Sequence, residues 1–99
     1  MLDVRLSRSA DADLFEIVYY TAERFGEAQS EIYSDGLLAA IDLLSEYPLI
    51  GTDASDVRAS TRRLVHEHHN IFYEVLESEV LVLRILGPGQ DPREHLSVL

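Results

Sequence analysis

The sequence predicts an α+β fold in which one strand and a helical hairpin precede a three-stranded antiparallel meander. Apolar residues alternate with polar ones at the N-terminus, and strand-like apolar segments return after residue 61. Between them, two long segments repeat apolar residues at intervals of three and four, which is typical of amphipathic helices. The link between these helices is so short that they must turn back on each other. A helical hairpin is therefore expected on one face of an antiparallel sheet.

The N-terminal segment predicts a half-buried strand that leads directly into a helix. Leu2, Val4 and Leu6 alternate with polar residues, so one face of this strand is expected to meet the core. Ser7 or Ser9 can cap the following helix, because a serine hydroxyl accepts hydrogen bonds from the unpaired N–H groups of a first turn.

Two amphipathic helices meet at Gly26, which is placed to end the first helix in a left-handed conformation. The second helix is expected from about residue 27 to residue 47, where Pro48 stops it. Each helix has an apolar stripe for the core. The stripes are Leu14, Ile17, Val18, Ala22 and Phe25 in the first helix and Ile32, Gly36, Leu37, Ala40, Ile41 and Leu44 in the second.

The rest of the chain predicts a loop followed by three strands. Residues 49–60 are rich in Gly, Ser, Thr and Asp and are expected to form the loop. Strands are expected at about 62–67, 70–76 and 80–86, with a tight turn at residues 77–79. The third strand is almost continuously aliphatic, so it should lie centrally with both faces covered.

Length and composition limit the possible classes of protein. With 99 residues, the chain is expected to be one domain, 1–99. There is no cysteine, which excludes disulfides, thiolate metal sites and cysteine nucleophiles and is compatible with a cytoplasmic protein. No apolar run approaches the roughly 20 residues of a membrane span, and the N-terminus does not have the pattern of a signal peptide.

Charge is strongly negative and unevenly distributed. The net charge is −10; residues 1–56 hold 12 of the 18 acids but three of the eight arginines, and all four histidines follow residue 57. Such a chain repels phosphate backbones overall, because nucleic-acid affinity depends on Lys and Arg neutralising phosphate charge. Partners that are proteins are therefore favoured over nucleic acid.

Short motifs follow one another along nearly the whole chain in a familiar order. They are Leu6-Ser7-x-x-Ala10-x-x-Asp13-Leu14, Arg24-Phe25-Gly26 with Gln29 and Tyr33, Tyr47-Pro48-x-x-Gly51, Val57-Arg58 with Arg62-Arg63, Ile71-Phe72-Tyr73, Arg84-Ile85-Leu86, and Asp91 with His95-Leu96. In order and spacing these motifs resemble the ParE toxins of the RelE/ParE superfamily of bacterial toxin–antitoxin systems. One departure is Gly87, which stands where members usually carry His.

The resemblance implies the toxin of a type II toxin–antitoxin system, held inactive by a cognate antitoxin. Such an antitoxin is usually a ParD-like ribbon-helix-helix dimer whose disordered tail folds across the toxin, so the toxin reaches DNA only through it. ParE-like members inhibit DNA gyrase by binding it, so the resemblance implies an inhibitor rather than a catalyst, with no cofactor and no membrane partner.

Two alternatives within the superfamily remain open. One is a RelE-like, ribosome-dependent mRNA interferase, but residues 87–90 contain no cation where such nucleases place basic residues. The other is a non-toxic member that joins its antitoxin only as a corepressor, and Gly87 favours this alternative.

Candidate contact residues for the target or the antitoxin come from an arginine cluster and from the C-terminal segment. They are Arg58, Arg62, Arg63, Arg84, Asp91, Arg93 and His95. The clustered arginines either bind acidic partner residues through forked bonds or pair internally with Glu67, Glu74 or the helical acids. Arg84 lies within an apolar strand, so a carboxylate or backbone carbonyls should satisfy its guanidinium.

Two histidine-containing groups have a chemical and a structural interpretation. His66, His68 and His69 with Glu67 are of the types that bind zinc, and His66 and His68 share one face of a strand. Further ligands and a closed geometry are not indicated, so a polar sheet edge or turn is favoured and no metal site is predicted. Asp91 and His95 are spaced as i and i+4 on a helix. No nucleophile accompanies them, so a surface contact or helix-end ion pair is favoured over acid–base catalysis, and no catalytic residue is predicted.

Overall fold

The computed structural model describes residues 1–97, so the last two residues of the predicted 1–99 domain lie outside it. Within these residues no helix is long and apolar enough to cross a membrane. The elements in chain order are β1 (Asp3–Leu6), α1 (Arg8–Phe25), α2 (Glu27–Glu46), β2 (Thr52–Asp53), β3 (Arg62–His66), β4 (His69–Val75), β5 (Glu79–Leu86) and α3 (Pro92–Leu96).

The strands form one sheet of order β1-β5-β4-β3-β2. The predicted antiparallel meander is confirmed in β3, β4 and β5, and β1 adds to it in parallel with β5. The predicted loop at 49–60 was wrong in part, because Thr52–Asp53 pairs antiparallel with β3 as a short edge strand. Strand β5 therefore lies between two neighbours, as its continuous apolar sequence predicts.

Ser7 caps α1 and also joins the helix to the sheet. Its hydroxyl accepts from the Ala10 N–H at 3.0 Å and donates to the Leu83 carbonyl at 2.7 Å. At the other end Gly26 alone links α1 to α2, with φ at 90° and ψ at 163°. The positive φ is as predicted, but ψ is extended rather than left-handed helical, and this lets one residue reverse the chain.

The main core lies between the hairpin and the sheet. Leu37, Ile41 and Leu44 of α2 are buried there, which confirms that part of the predicted stripe. Phe25 and Ile32 were wrongly placed in the core, since they are 68% and 65% exposed. Ile32 precedes Leu37 by five residues, so it lies about 140° around the helix from the buried face.

A second, smaller core covers the other face of the sheet. Phe72, Leu83 and Leu86 pack there against Ala54 from the loop and Leu96 from α3. Both faces of β5 are thus covered, which explains why its sequence lacks a polar face. The C-terminal helix α3 is part of the folded core rather than a free tail.

Candidate functional site

The first helix continues the pairing of β5 beyond the end of β1. The Ser7 N–H donates to the Val82 carbonyl at 2.8 Å, immediately after the last residue of β1. One turn into α1, the Asp13 carboxylate accepts from the Ile85 N–H at 2.9 Å. Beyond the end of β1, backbone groups along this edge of β5 therefore find their hydrogen-bond partners in the start of α1 and in a side chain instead of in another strand.

Arg84 forms a forked ion pair with that same carboxylate. Its Nε and Nη2 donate to the two Asp13 oxygens at 2.8 and 2.9 Å, and its Nη1 donates to the His95 carbonyl at 3.3 Å. The hydrogen bonds to Asp13 raise the pKa of Arg84. The prediction that a carboxylate and carbonyls satisfy Arg84 is confirmed, and we call this contact the Asp13–Arg84 clamp.

Two arginines of the predicted contact cluster also bind within the chain. Arg62 donates from Nη2 to the Leu49 carbonyl at 3.1 Å and to the Gly51 carbonyl at 2.6 Å, which holds the loop on the sheet. Arg58 lies 3.5 Å from the Glu74 carboxylate. The predicted internal pairing with Glu74 is therefore observed for Arg58, whereas Arg62 binds backbone carbonyls instead of an acid. A role of either residue in binding a partner stays a prediction.

Arg63 of the cluster and Arg93 of the C-terminal segment are the predicted contact residues whose guanidinium groups are more available to a partner. The Arg63 guanidinium lies 6.0 Å from the centre of the Phe72 ring. Arg93 is 3.7 Å from Asp56, and both of these side chains are about 70% exposed. An ion pair that exposed contributes little to stability, so Arg93 can exchange Asp56 for another carboxylate at small cost.

The C-terminal pair, Asp91 and His95, forms the start of α3. Asp91 accepts the Arg93 N–H at 3.0 Å through its carboxylate, and its carbonyl accepts the His95 N–H at 3.1 Å. The helical spacing is as predicted. Of the two predicted roles, the helix-end ion pair is not formed among the described residues, because the Asp91 carboxylate caps the helix, and the surface contact stays a prediction.

The histidines at the β3–β4 turn pack on α2. His66 and His69 are directly opposite each other across the turn, and their rings lie 5.9 and 5.5 Å from the ring of Tyr33. The Tyr33 hydroxyl is 2.5 Å from His69 Nδ1. His66 Nε2 is 3.4 Å from a Glu67 oxygen in a geometry that is not a hydrogen bond. Within residues 1–97, no group of three acidic or histidine side chains is placed to hold a metal ion.

Burial and the neighbouring imidazoles shift the pKa values of two groups at this turn. Burial, with His68 and His66 nearby, lowers the pKa of His69 below its ordinary value. Burial raises the pKa of Tyr33. A Cβ at position 87 would lie 3.4 Å from His69 Nε2, so His69 fills space beside Gly87, the position where the sequence resemblance leads to the expectation of a histidine.

An open cleft of about 1000 Å³ separates the hairpin from the β3–β4 turn and the end of β5. Its walls carry aromatic, apolar and polar side chains together. They are Asp13, Glu16, Ile17, Tyr20, Thr21, Phe25, Gln29, Tyr33, Glu67, His68, His69, Ile85, Gly87, Pro88 and Gln90. None of the seven predicted contact residues lies among them. The sequence signal that was missed is Phe25 with Gln29 and Tyr33. Phe25 was assigned to the core stripe of the first helix, and Gln29 and Tyr33 were quoted only as part of a motif that carries the resemblance.

A helical hairpin packed on this mixed sheet, with a cleft at its open end, is the architecture expected from the sequence resemblance to RelE/ParE toxins. Residues 4–92 match the family model described as the ParE toxin of the type II toxin-antitoxin system, parDE. The chain belongs to the ParE toxin family.

Individual relatives agree with this assignment. The chain is similar to Toxin ParE1 of Caulobacter vibrioides, with 36% identity over 96 residues, 97% of this chain and 99% of that protein. It is similar to Toxin ParE1 of Mycobacterium tuberculosis, with 36% identity over 92 residues, 92% of this chain and 94% of that protein. A chain in the structure of the chromosomal ParDE TA system from P. aeruginosa has a TM-score of 0.78 at 20% identity. That match covers 88% of this chain and 96% of the other, and it shows the fold.

Proposed function

We propose that a cognate antitoxin neutralises this ParE-type toxin by occupying the cleft, and that the free toxin arrests growth by binding DNA gyrase in the cytoplasm. The observation that supports antitoxin binding is the cleft itself. At about 1000 Å³ it is at the upper end of the usual range for ligand sites. It therefore has room for several side chains of a docked polypeptide segment.

The chemistry of the cleft suits a peptide segment. Phe25 and Ile17 offer apolar surface, whereas Gln29, His68 and Gln90 offer hydrogen-bonding groups around it. A disordered tail can fold into such a site, and its ordering cost is offset by burying apolar side chains. We infer a ParD-like ribbon-helix-helix dimer as the source of the tail, with DNA contacted through that dimer alone.

Gyrase inhibition is proposed as protein–protein association, without covalent chemistry by this chain, which acts as one toxin domain. Arg63, Arg93 and the C-terminal segment at residues 84–95 are the proposed contact surface for the target. RNA cleavage is less well supported, because residues 87–90 contain no cation. Glu16 and Glu67 in the cleft would also repel a phosphate backbone.

Replacing Phe25 by Ser tests the cleft directly. The binding partner is the product of the reading frame that adjoins this gene, and calorimetry gives the affinity. Phe25 is well exposed in the free chain, so its replacement should leave the fold intact. Burying a phenylalanine contributes about 1.5–3 kcal/mol, so Phe25→Ser should weaken binding about 10- to 100-fold.

Leu43→Ser is the matched control, since Leu43 is a 46% exposed apolar residue of α2 that does not line the cleft. Its affinity should change less than about twofold. Equal antitoxin binding by wild type and Phe25→Ser would contradict the assignment of the cleft.

A further inference from the structure

The β3–β4 turn lies against α2 through two histidine rings. His66 and His69 face each other across the turn, and their rings lie 5.9 and 5.5 Å from the ring of Tyr33. In the described chain, the contact of 2.5 Å between the Tyr33 hydroxyl and His69 Nδ1 is the side-chain hydrogen bond that joins the turn to α2. Because His68 and His69 also line the cleft, this contact sets the position of one cleft wall.

Two glycines let the imidazoles pack closely on their neighbours. His66 Nε2 lies 3.4 Å from the point where a Cβ would stand on Gly36 of α2, and His69 Nε2 lies 3.4 Å from the same point on Gly87. His66 Nε2 is buried and has no hydrogen-bond partner among the described residues. The turn is therefore held on α2 by ring packing and by the Tyr33–His69 hydrogen bond, without a network of polar contacts.

The backbone of the turn is strained. Glu67 has a φ of 50°, in the left-handed region that residues with a Cβ rarely adopt. Such a conformation costs energy and persists only while the surrounding contacts hold it. Loss of the contact with α2 would remove one of those contacts, so the strain favours movement of the turn.

Protonation of His69 weakens the contact that holds the turn. A neutral imidazole can accept a hydrogen bond at Nδ1 from the Tyr33 hydroxyl, whereas a protonated imidazole has hydrogens on both nitrogens and accepts none. The added charge would also lie in a half-buried site. Burial, with His68 and His66 nearby, lowers the pKa of His69 in the folded chain.

Nearby acids do not remove this cost. Glu67 belongs to the same turn, and Asp13 and Glu16 of α1 line the same cleft. Asp13 is bound by Arg84 in the clamp, and among the described residues none of the three acids forms an ion pair with His69. The pKa of His69 is lowered with all three acids in place, so the neutral ring is the form that the folded chain favours.

We propose that the β3–β4 turn is a proton-operated wall of the cleft, held against α2 while His69 is neutral and released when His69 is protonated. The released turn would carry His68 and His69 away from the hairpin and widen the cleft. A released imidazole has its ordinary pKa of about 6.5, so the ratio of released to held turn should rise up to about tenfold between pH 7.5 and pH 5.5. The release goes beyond the proposed function and is a property of the free chain, so it can be tested without the antitoxin.

Spin labels on introduced cysteines can measure the width of the cleft, because the chain has no cysteine of its own. The pair His68→Cys with Glu16→Cys spans the cleft, and both positions are exposed. The pair Glu16→Cys with Gln29→Cys lies within the hairpin and is the matched control. Pulsed electron paramagnetic resonance at pH 7.5 and pH 5.5 should show a longer-distance population that grows up to about tenfold in the cleft pair alone.

Two further measurements assign the effect to His69. His69→Gln keeps a hydrogen-bonding side chain that does not titrate, so in the cleft pair it should abolish the response to pH. In the unsubstituted chain, the imidazole resonances followed by NMR should show that His69 binds its proton below its ordinary pKa of about 6.5.

Four results would overturn the proposal. The first is a distance distribution in the cleft pair that is the same at both pH values. The second is a response to pH that persists in His69→Gln, which would assign it to another group. The third is equal broadening in the hairpin pair, which would show loss of the fold instead of movement of the turn. The fourth is protonation of His69 at or above its ordinary pKa, a result that depends on no variant.

Discussion

Removal of either partner of the Asp13–Arg84 clamp should destabilise the fold strongly. Asp13→Ala removes the carboxylate that accepts two hydrogen bonds from the Arg84 guanidinium and one from the Ile85 N–H, and leaves Arg84 with its bond to the His95 carbonyl. The two side chains are only 16% and 12% exposed, so water replaces the carboxylate poorly. Breaking a buried pair costs about 3–5 kcal/mol, and this residual exposure favours the lower value, about 3 kcal/mol.

The expected effect is large relative to total stability. For a chain of this length, 1 kcal/mol lowers the melting temperature by about 4–8 °C, so Asp13→Ala should lower it by about 12–24 °C. Urea unfolding followed by circular dichroism gives the free energy. The slope of that free energy against urea should stay unchanged, because the surface exposed on unfolding is the same.

A double-mutant cycle isolates the clamp from other effects of each substitution. Arg84→Met keeps an unbranched apolar side chain and removes the charge, and combined with Asp13→Ala it leaves no buried charge unpaired. The double variant should be less destabilised than the sum of the single variants, by about 2 kcal/mol. Additive effects within about 0.5 kcal/mol would refute the clamp as a coupled unit. Arg5→Ala, which breaks an exposed ion pair with Glu79, is the control and should change the midpoint little.

Further predictions concern the loop, the C-terminal helix and the histidine turn. Gly51→Ala should cost about 2–3 kcal/mol in chemical unfolding, because its Cβ would lie 2.6 Å from the Arg63 carbonyl and 2.7 Å from the Tyr73 hydroxyl. Leu96→Ala should cost about 2–4 kcal/mol by the same assay, because Leu96 is buried in the second core. His69→Gln should flatten the pH dependence of stability below about pH 6.5. The lowered pKa of His69 means that the unfolded chain binds its proton first, so wild-type stability falls as pH falls and levels off once folded His69 is protonated.

Each of these predictions has a clear contrary result. A Gly51→Ala variant as stable as wild type would show that the loop can move away from β3. An unaffected Leu96→Ala variant would show that α3 is not packed on the sheet in solution. A pH profile unchanged by His69→Gln would mean that other groups control acid stability.

The sequence predicted the elements well because helix periods, the Ser7 cap, Gly26 and Pro48 act locally. It missed β2 and the parallel pairing of β1 with β5, since a two-residue edge strand and a pairing across more than 70 residues leave no local pattern. Phe25 was misplaced because one helix face can line either a core or an open cleft. The aromatic sequence pattern is the same in both cases.

The contacts of the predicted site residues depend on long-range packing, and their role in binding a partner stays a prediction. Several motifs that carry the family resemblance form contacts within the fold: Asp13 binds Arg84, and Gly51 donates its N–H to the Tyr73 hydroxyl and accepts from Arg62 through its carbonyl. Those motifs therefore identify the fold without marking a binding surface. The cleft that we propose as the binding surface lies where the hairpin and the β3–β4 turn stand apart, which only the three-dimensional structure reveals.

The structure also changes how the C-terminal segment should be tested. A truncation from Asp91 onward would remove part of the proposed target-binding surface, but it would also remove Leu96 from the second core. Substitution of the exposed Arg93 by Ser leaves that core intact and tests the same surface. Lost gyrase inhibition with unchanged antitoxin binding would support residues 84–95 as the target contact, whereas full inhibition would exclude Arg93 from it.

The most direct test of the proposed function is inhibition of gyrase-catalysed DNA supercoiling by the purified chain, with and without the product of the adjoining reading frame. We predict inhibition that increases with toxin concentration and is relieved by one equivalent of antitoxin, while the Phe25→Ser toxin inhibits but is relieved poorly. Absence of inhibition by folded toxin would contradict the gyrase proposal and favour a corepressor that binds its antitoxin without poisoning the cell.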